Sequence, residues 1–237
     1  MLVPVLRAEW KDLVIASYAV PGDWVTPYLP PGVELDLWQG SAWVSLVAFN
    51  FYRLHLLGVT LPYPPTLCTF PEINLRTYVK RAGIRGITFL TELVPNRFVA
   101  WAANNLYKEH FIAAEVNHTV TVDGQDRESR FDFTVDGKPQ TISAIGTGQP
   151  IAPEPDTQSE FFSERYIGYG GKRMGKTITF TVEHPPWRVY DTTASKVEVD
   201  FETNYGKPWG GLTGRAPDHV MLTEGSAVNV YPWSRKL

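Results

Sequence analysis

The stretch TVTVDGQDRESRFDFTVDGKPQTISA, Thr119 to Ala144, constrains the fold more than any other part of the chain. It holds two Asp-Gly pairs, Asp123-Gly124 and Asp136-Gly137, each flanked by alternating apolar and polar residues. Asp-Gly supplies the positive φ angles of a tight hairpin turn, and alternation is the mark of a strand with one buried face. Two successive antiparallel hairpins are therefore predicted, with Arg127 to Val135 apolar on one side and solvated on the other. A chain built around such a ladder is mostly β.

Strand signals recur on both sides of the hairpins. Asp12 to Val20 reads as a strand halted by Pro21-Gly22, and Val33 to Trp38 as a short one after the Pro30-Pro31-Gly32 turn. Ala42 to Tyr52 is apolar at nearly every position, which predicts burial of both faces. Further strands are expected over Ile87 to Leu93, Ile178 to Val182, Val189 to Tyr190, Lys196 to Phe201 and Ala227 to Tyr231. Helical spacing of Phe98, Trp101 and Ala102 behind an Asn96 N-cap predicts a helix over Asn96 to Tyr107. A second, short helix is expected over Ser159 to Glu164. The polar run Gly146 to Gln158 reads as a loop, and the glycine-rich, basic run Gly168 to Lys176 as a surface loop. With no internal repeat and no shift of composition, residues 1–237 read as one domain, mostly β with a few helices. The 8 Trp, 11 Tyr and 12 Phe, set among 19 Gly and 19 Pro, suit short strands around an aromatic-lined interior.

Several function classes are excluded by what the chain lacks. Its formal net charge is −3 and it has no block of Lys and Arg, so no nucleic-acid surface is expected. No run approaches the roughly 18 apolar residues of a membrane span, and Arg7, Glu9, Lys11 and Asp12 interrupt the N-terminus as a secretory signal. The expectation is a soluble, cytoplasmic protein. Cys68, the single cysteine, reads as a small buried hydrophobe rather than half of a disulfide. His55, His110, His118, His184 and His219 show no metal-binding spacing, and neither a nucleophile elbow nor a phosphate loop is present. No metal or cofactor is expected.

The segment TFPEINLRTYVKRAGIRGITF, Thr69 to Phe89, contains the chemistry. In an extended chain Glu72, Asn74, Arg76 and Tyr78 share one face, and Ile73, Leu75, Thr77 and Val79 share the other. That polar face is either a solvated surface, with a Glu72–Arg76 pair of little energetic weight, or the lining of a pocket. Lys108, just beyond the predicted helix, is a lysine to weigh for covalent chemistry, against a plain role at the helix end.

YLPPGVELDLWQGSAWVSLVAFNF, EINLRTYV, GIRGITFL, FFSERYIGY and HPPW occur in this order and resemble the bacterial YqjF-like family of conserved proteins of unknown function, domain of unknown function 2071. That family is in turn distantly similar to the acetoacetate decarboxylase-like fold. The resemblance implies a β-barrel with an internal cavity and helices at its rim, and it turns the Glu72–Asn74–Arg76 face inward. Schiff-base enzymes of that fold have two adjacent lysines where Phe111 and Ile112 stand here, so imine chemistry is not implied. The expected ligand is a small organic acid, a carboxylate or keto compound. Glu72 and Arg76 are its main and potentially catalytic contacts, with Asn74, Tyr107, Lys108, His110, Arg165 and Tyr166 completing the pocket. The competing expectation is a non-catalytic module in which Glu72 and Arg76 form a buried, fold-stabilising pair. Homo-oligomerisation is left open.

Overall fold

A computed structural model describes residues 3–60, 68–95, 111–173 and 176–232. In chain order the strands are β1 (Leu6–Val20), β2 (Glu34–Leu35), β3 (Ala42–Leu56), β4 (Val59–Thr60), β5 (Phe70–Arg81), β6 (Ile84–Val94) and β7 (Phe111–Ala113). They continue with β8 (Glu115–Asp123), β9 (Asp126–Val135), β10 (Lys138–Ile151), β11 (Ile167–Arg173), β12 (Lys176–Glu183), β13 (Val189–Glu198) and β14 (His219–Pro232). Short helices α1 (Gly22–Val25), α2 (Gln158–Ser163) and α3 (Phe201–Tyr205) lie between them.

Seven strands pair in the order β1-β3-β5-β6-β11-β12-β14, and β14 returns to pair with β1, so the hydrogen-bonded path closes on itself. Six of these joints are antiparallel. The β6–β11 joint is parallel and rests on one register pair, Gly168 opposite Ile87. Side chains reinforce it: the Thr88 hydroxyl donates to the Tyr169 carbonyl at 2.8 Å, and the Tyr169 hydroxyl donates to the Ile84 carbonyl at 3.2 Å. From β14 the sheet runs on through β13, β10 and β9 to β8.

This topology gives the wall β1-β3-β5 two buried faces. On one, Val14, Ala16, Leu46, Ile73 and Leu75 cluster with Phe131, Phe133, Ile142 and Ala144 of the β9–β10 layer. On the other, Ile15, Trp43, Val47, Phe49 and Tyr78 cluster with Phe161 and Phe162 of α2, Trp187 and Met221. The largely apolar run Ala42 to Phe51 of β3 follows from this double burial. Asp12 helps hold the layers together at a bulge in β1. Its φ is 58°, its carboxylate takes a 2.6 Å contact from Arg127 Nη2, and its carbonyl accepts from Ser129 Oγ at 2.9 Å.

Both Asp-Gly hairpins form where the sequence places them, and β9 alternates in burial. Other boundaries differ. Gly146 to Ile151 continues β10 instead of opening a loop, because β13 pairs alongside it through two register shifts. Most of Gly168 to Lys176 is strand, paired with β12. Lys196 to Phe201 is not a separate strand: β13 ends at Glu198, and Phe201 opens α3, whose N-cap Asp200 accepts from Thr203 N at 3.0 Å. Val33 to Trp38 shortens to β2. Cys68 is half-buried. The helix expected over 96–107 lies outside the described residues. Among the described residues no helix is long and apolar enough to cross a membrane.

Candidate ligand-binding site

The polar face of β5 is interior. Glu72 is 6 %, Asn74 2 %, Arg76 5 % and Tyr78 0 % exposed, which excludes a solvated surface. The hydrogen-bond ladders fix their neighbours: Phe49, Val47 and Ser45 of β3 stand opposite Glu72, Asn74 and Arg76. Glu92 of β6, also buried, stands opposite Asn74.

Arg76 belongs to a polar belt that crosses four strands at one level. His219 of β14 pairs with Ser17 of β1, Ser17 with Ser45 of β3, and Ser45 with Arg76. The Ser17 and Ser45 hydroxyls are 2.6 Å apart, and Ser45 is 2.6 Å from the Tyr78 hydroxyl. This hydrogen-bonded chain satisfies polar groups that would otherwise be costly in an apolar interior. Burial pulls the His219 imidazole below its ordinary pKa, and its buried Nδ1 has no hydrogen-bond partner.

Helix α2 lies against this belt. The Phe162 ring packs 5.1 Å from Trp43, 5.2 Å from Tyr78 and 5.2 Å from His219. Its carbonyl, near the C-terminus of α2, accepts from Arg76 Nη2 at 2.8 Å. Arg76 Nε is buried and unbonded. Among the described residues no carboxylate lies within ion-pair distance of Arg76, so the Glu72–Arg76 pair does not form. Four residues of extended chain separate the two by ~13 Å of strand, and the nearer acceptor is the α2 carbonyl.

A second guanidinium is desolvated beside the first. The Arg165 side chain is 1 % exposed and lies 3.0 Å from Asp36, which also pairs with Arg85 at 2.9 Å. Its guanidinium carbon sits 4.2 Å from the Phe161 ring centre and 5.3 Å from that of Tyr78. None of its three nitrogens meets hydrogen-bond geometry. Burial first, then the neighbouring Arg85 charge, pulls its pKa down to about 10 against the opposing pull of Asp36. The Arg76 guanidinium lies 5.7 Å from the same Tyr78 ring.

Tyr166 lies at the edge of this cluster. Its hydroxyl donates to Glu164, which also accepts from Trp187 N at 3.4 Å, and burial raises the phenol's pKa. His184 lies between Tyr166 and Trp187, at 4.7 and 4.4 Å. Its Nδ1 carries the proton, because the Pro185 carbonyl 2.8 Å away can only accept.

The structure thus brings Asn74, Arg76 and Arg165 into one buried region with Tyr78, with Glu72 further along the same face and Tyr166 at its rim. Tyr107, Lys108 and His110 lie outside the described residues. Sequence reasoning missed Ser17, Ser45, His219 and Glu92. The two serines carried a signal, since each interrupts an apolar run, Ser17 in Leu13 to Val20 and Ser45 in Ala42 to Phe49. His219 and Glu92 carried none, because their place depends on register between distant strands. Among the described residues no three His, Cys, Asp or Glu gather into a possible metal site.

Solved structures share this architecture. The enduracididine biosynthesis enzyme MppR complexed with pyruvate superposes with a TM-score of 0.66 at 15% identity, over 99% of this chain and 91% of that one. Acetoacetate decarboxylase from Legionella pneumophila gives a TM-score of 0.60 at 10% identity, over 98% and 86%. At such identities the likeness shows the fold alone, and that fold is acetoacetate decarboxylase-like. In sequence the chain is 27% identical over 204 residues to the uncharacterized protein YqjF of Bacillus subtilis (strain 168), covering 84% of this chain and 81% of that protein. The DUF2071 model, described as an uncharacterized conserved protein, matches residues 7–227. The chain therefore belongs to the DUF2071 family.

Proposed function

We propose that the chain is a single-domain β-barrel, closed along the β1–β14 path, that binds a small organic acid in an internal cavity beside Arg76. The observation that carries this reading is an arginine 5 % exposed, its guanidinium bonded to one backbone carbonyl, with no carboxylate at ion-pair distance among the described residues. A buried cation without a counter-ion costs several kcal/mol, and a carboxylate ligand removes that cost. Arg165, whose one carboxylate partner among the described residues is shared with Arg85, adds to the positive field. The bound pyruvate of MppR, in the same fold, gives the reading its chemical class. Asn74 lines the same face, Glu72 supplies an acid–base group further along it, and Tyr166 stands at its rim. No imine enters the reading, because Phe111 and Ile112 replace the lysine pair.

Calorimetric titration with pyruvate, acetoacetate and their reduced forms tests it. Saturable binding is expected, weakened roughly 10- to 100-fold in Arg76→Gln, as for a hydrogen bond to a charged group. Failure of every acid to bind, or equal binding by Arg76→Gln, would sink the proposal. An enzymatic role adds only that Glu72 exchanges protons with the bound acid. Deuterium incorporation from solvent that persists undiminished in Glu72→Gln would refute that addition.

A further inference from the structure

We infer that the acid held at Arg76 carries a hydrogen-bond donor of its own, a hydroxyl or ammonium group, so that hydroxy or amino acids are preferred to keto acids. This inference rests on the reading of Arg76 as a carboxylate site.

Asn74 Nδ2 donates to Glu72 Oε1 at 3.2 Å. A carboxylate oxygen is an acceptor, so the amide nitrogen must face it and the amide oxygen must turn elsewhere. That oxygen, Asn74 Oδ1, is buried and has no hydrogen-bond partner. Two residues along the same face, Arg76 Nε is a buried donor without a partner. The face therefore presents an unmet acceptor and an unmet donor, their Cα atoms ~7 Å apart along one strand.

A keto acid meets only half of this demand. Its carboxylate satisfies Arg76, but its ketone oxygen is another acceptor and gives Asn74 Oδ1 nothing. A hydroxyl or ammonium group donates to Asn74 Oδ1 while the carboxylate of the same molecule accepts from Arg76. Sites built to hydrogen-bond a ligand hydroxyl discriminate against analogues without it, because their own buried polar groups are then left unpaired.

Matched ligands test the inference on the unaltered protein: pyruvate against lactate and alanine, and acetoacetate against 3-hydroxybutyrate, each titrated by calorimetry. The donor-bearing member of a set is expected to bind roughly 3- to 10-fold more tightly, the equivalent of one net hydrogen bond. In Asn74→Leu, checked for folding by its thermal transition, that ratio is expected to fall to about one. A keto acid that binds as tightly as its donor-bearing analogues overturns the inference, and so does a preference that survives in folded Asn74→Leu. With binding still lost in Arg76→Gln, either result leaves the carboxylate site standing. Absence of binding by every acid overturns both.

Discussion

Single side chains set the character of the interior. Arg76 and Arg165 approach the same tyrosine ring, yet their surroundings differ: Arg165 has Asp36, and Arg76 has a carbonyl. This difference ties Arg165 to Asp36 and to the Phe161 ring of α2, whereas Arg76 is held by the backbone at the end of that helix. Removing the counter-charge of a buried cation is far more costly than removing a surface partner. Asp36→Asn is therefore expected to lower stability by about 3 kcal/mol in urea unfolding, since it leaves Arg165 desolvated and unpaired. A loss below about 1 kcal/mol, ordinary for surface pairs, would mean that the rings alone hold Arg165.

Elements carry the closure of the wall, and its narrowest joint is β6 against β11. Gly86 allows that approach, for a Cβ there would fall within contact distance of the Ile167 carbonyl and the Tyr169 ring. Gly86→Ala should cost roughly 2 kcal/mol through overpacking, read as a lower denaturation midpoint. An unchanged midpoint would show that the joint yields without penalty. Much of the element order was legible in sequence: Asp-Gly pairs announce hairpins, and the alternation of EINLRTYV separates the two faces of β5. What was not legible came from tertiary pairing. Gly146 to Ile151 has loop composition, yet it is strand because β13 lies beside it. The polar belt was hidden for the same reason, since Ser17, Ser45, Arg76 and His219 meet only when four distant segments fall into register. Burial of the β5 face could be argued from the chain, whereas the carbonyl that displaces Glu72 as the partner of Arg76 could not.

At the scale of the whole molecule, burial of imidazoles ties stability to pH. Desolvation lowers the pKa values of His118, His184 and His219 from the ordinary 6.5. The unfolded chain then binds protons before the folded one as pH falls, so this contribution is complete above about 6.5 and is lost below it. Urea midpoints should decline from pH 7 toward pH 5, and His184→Phe, which keeps the stack between Tyr166 and Trp187, should flatten the decline. A flat profile in the parent protein would contradict this account. Asp132 and Asp200 act in a lower window: hydrogen bonds from Arg130 and Lys138 depress their pKa values, so their contribution persists until the pH falls below the ordinary 3.8. The two-faced wall has a different consequence. β1, β3 and β5 act as a partition between two interiors, each of which needs the other to keep its shared boundary dry. Stripping the β9–β10 layer away would wet Val14, Leu46 and Leu75, whose backs hold up Ile15, Val47 and Arg76. The β9–β10 layer is thus the buttress against which the polar face of β5 keeps its shape.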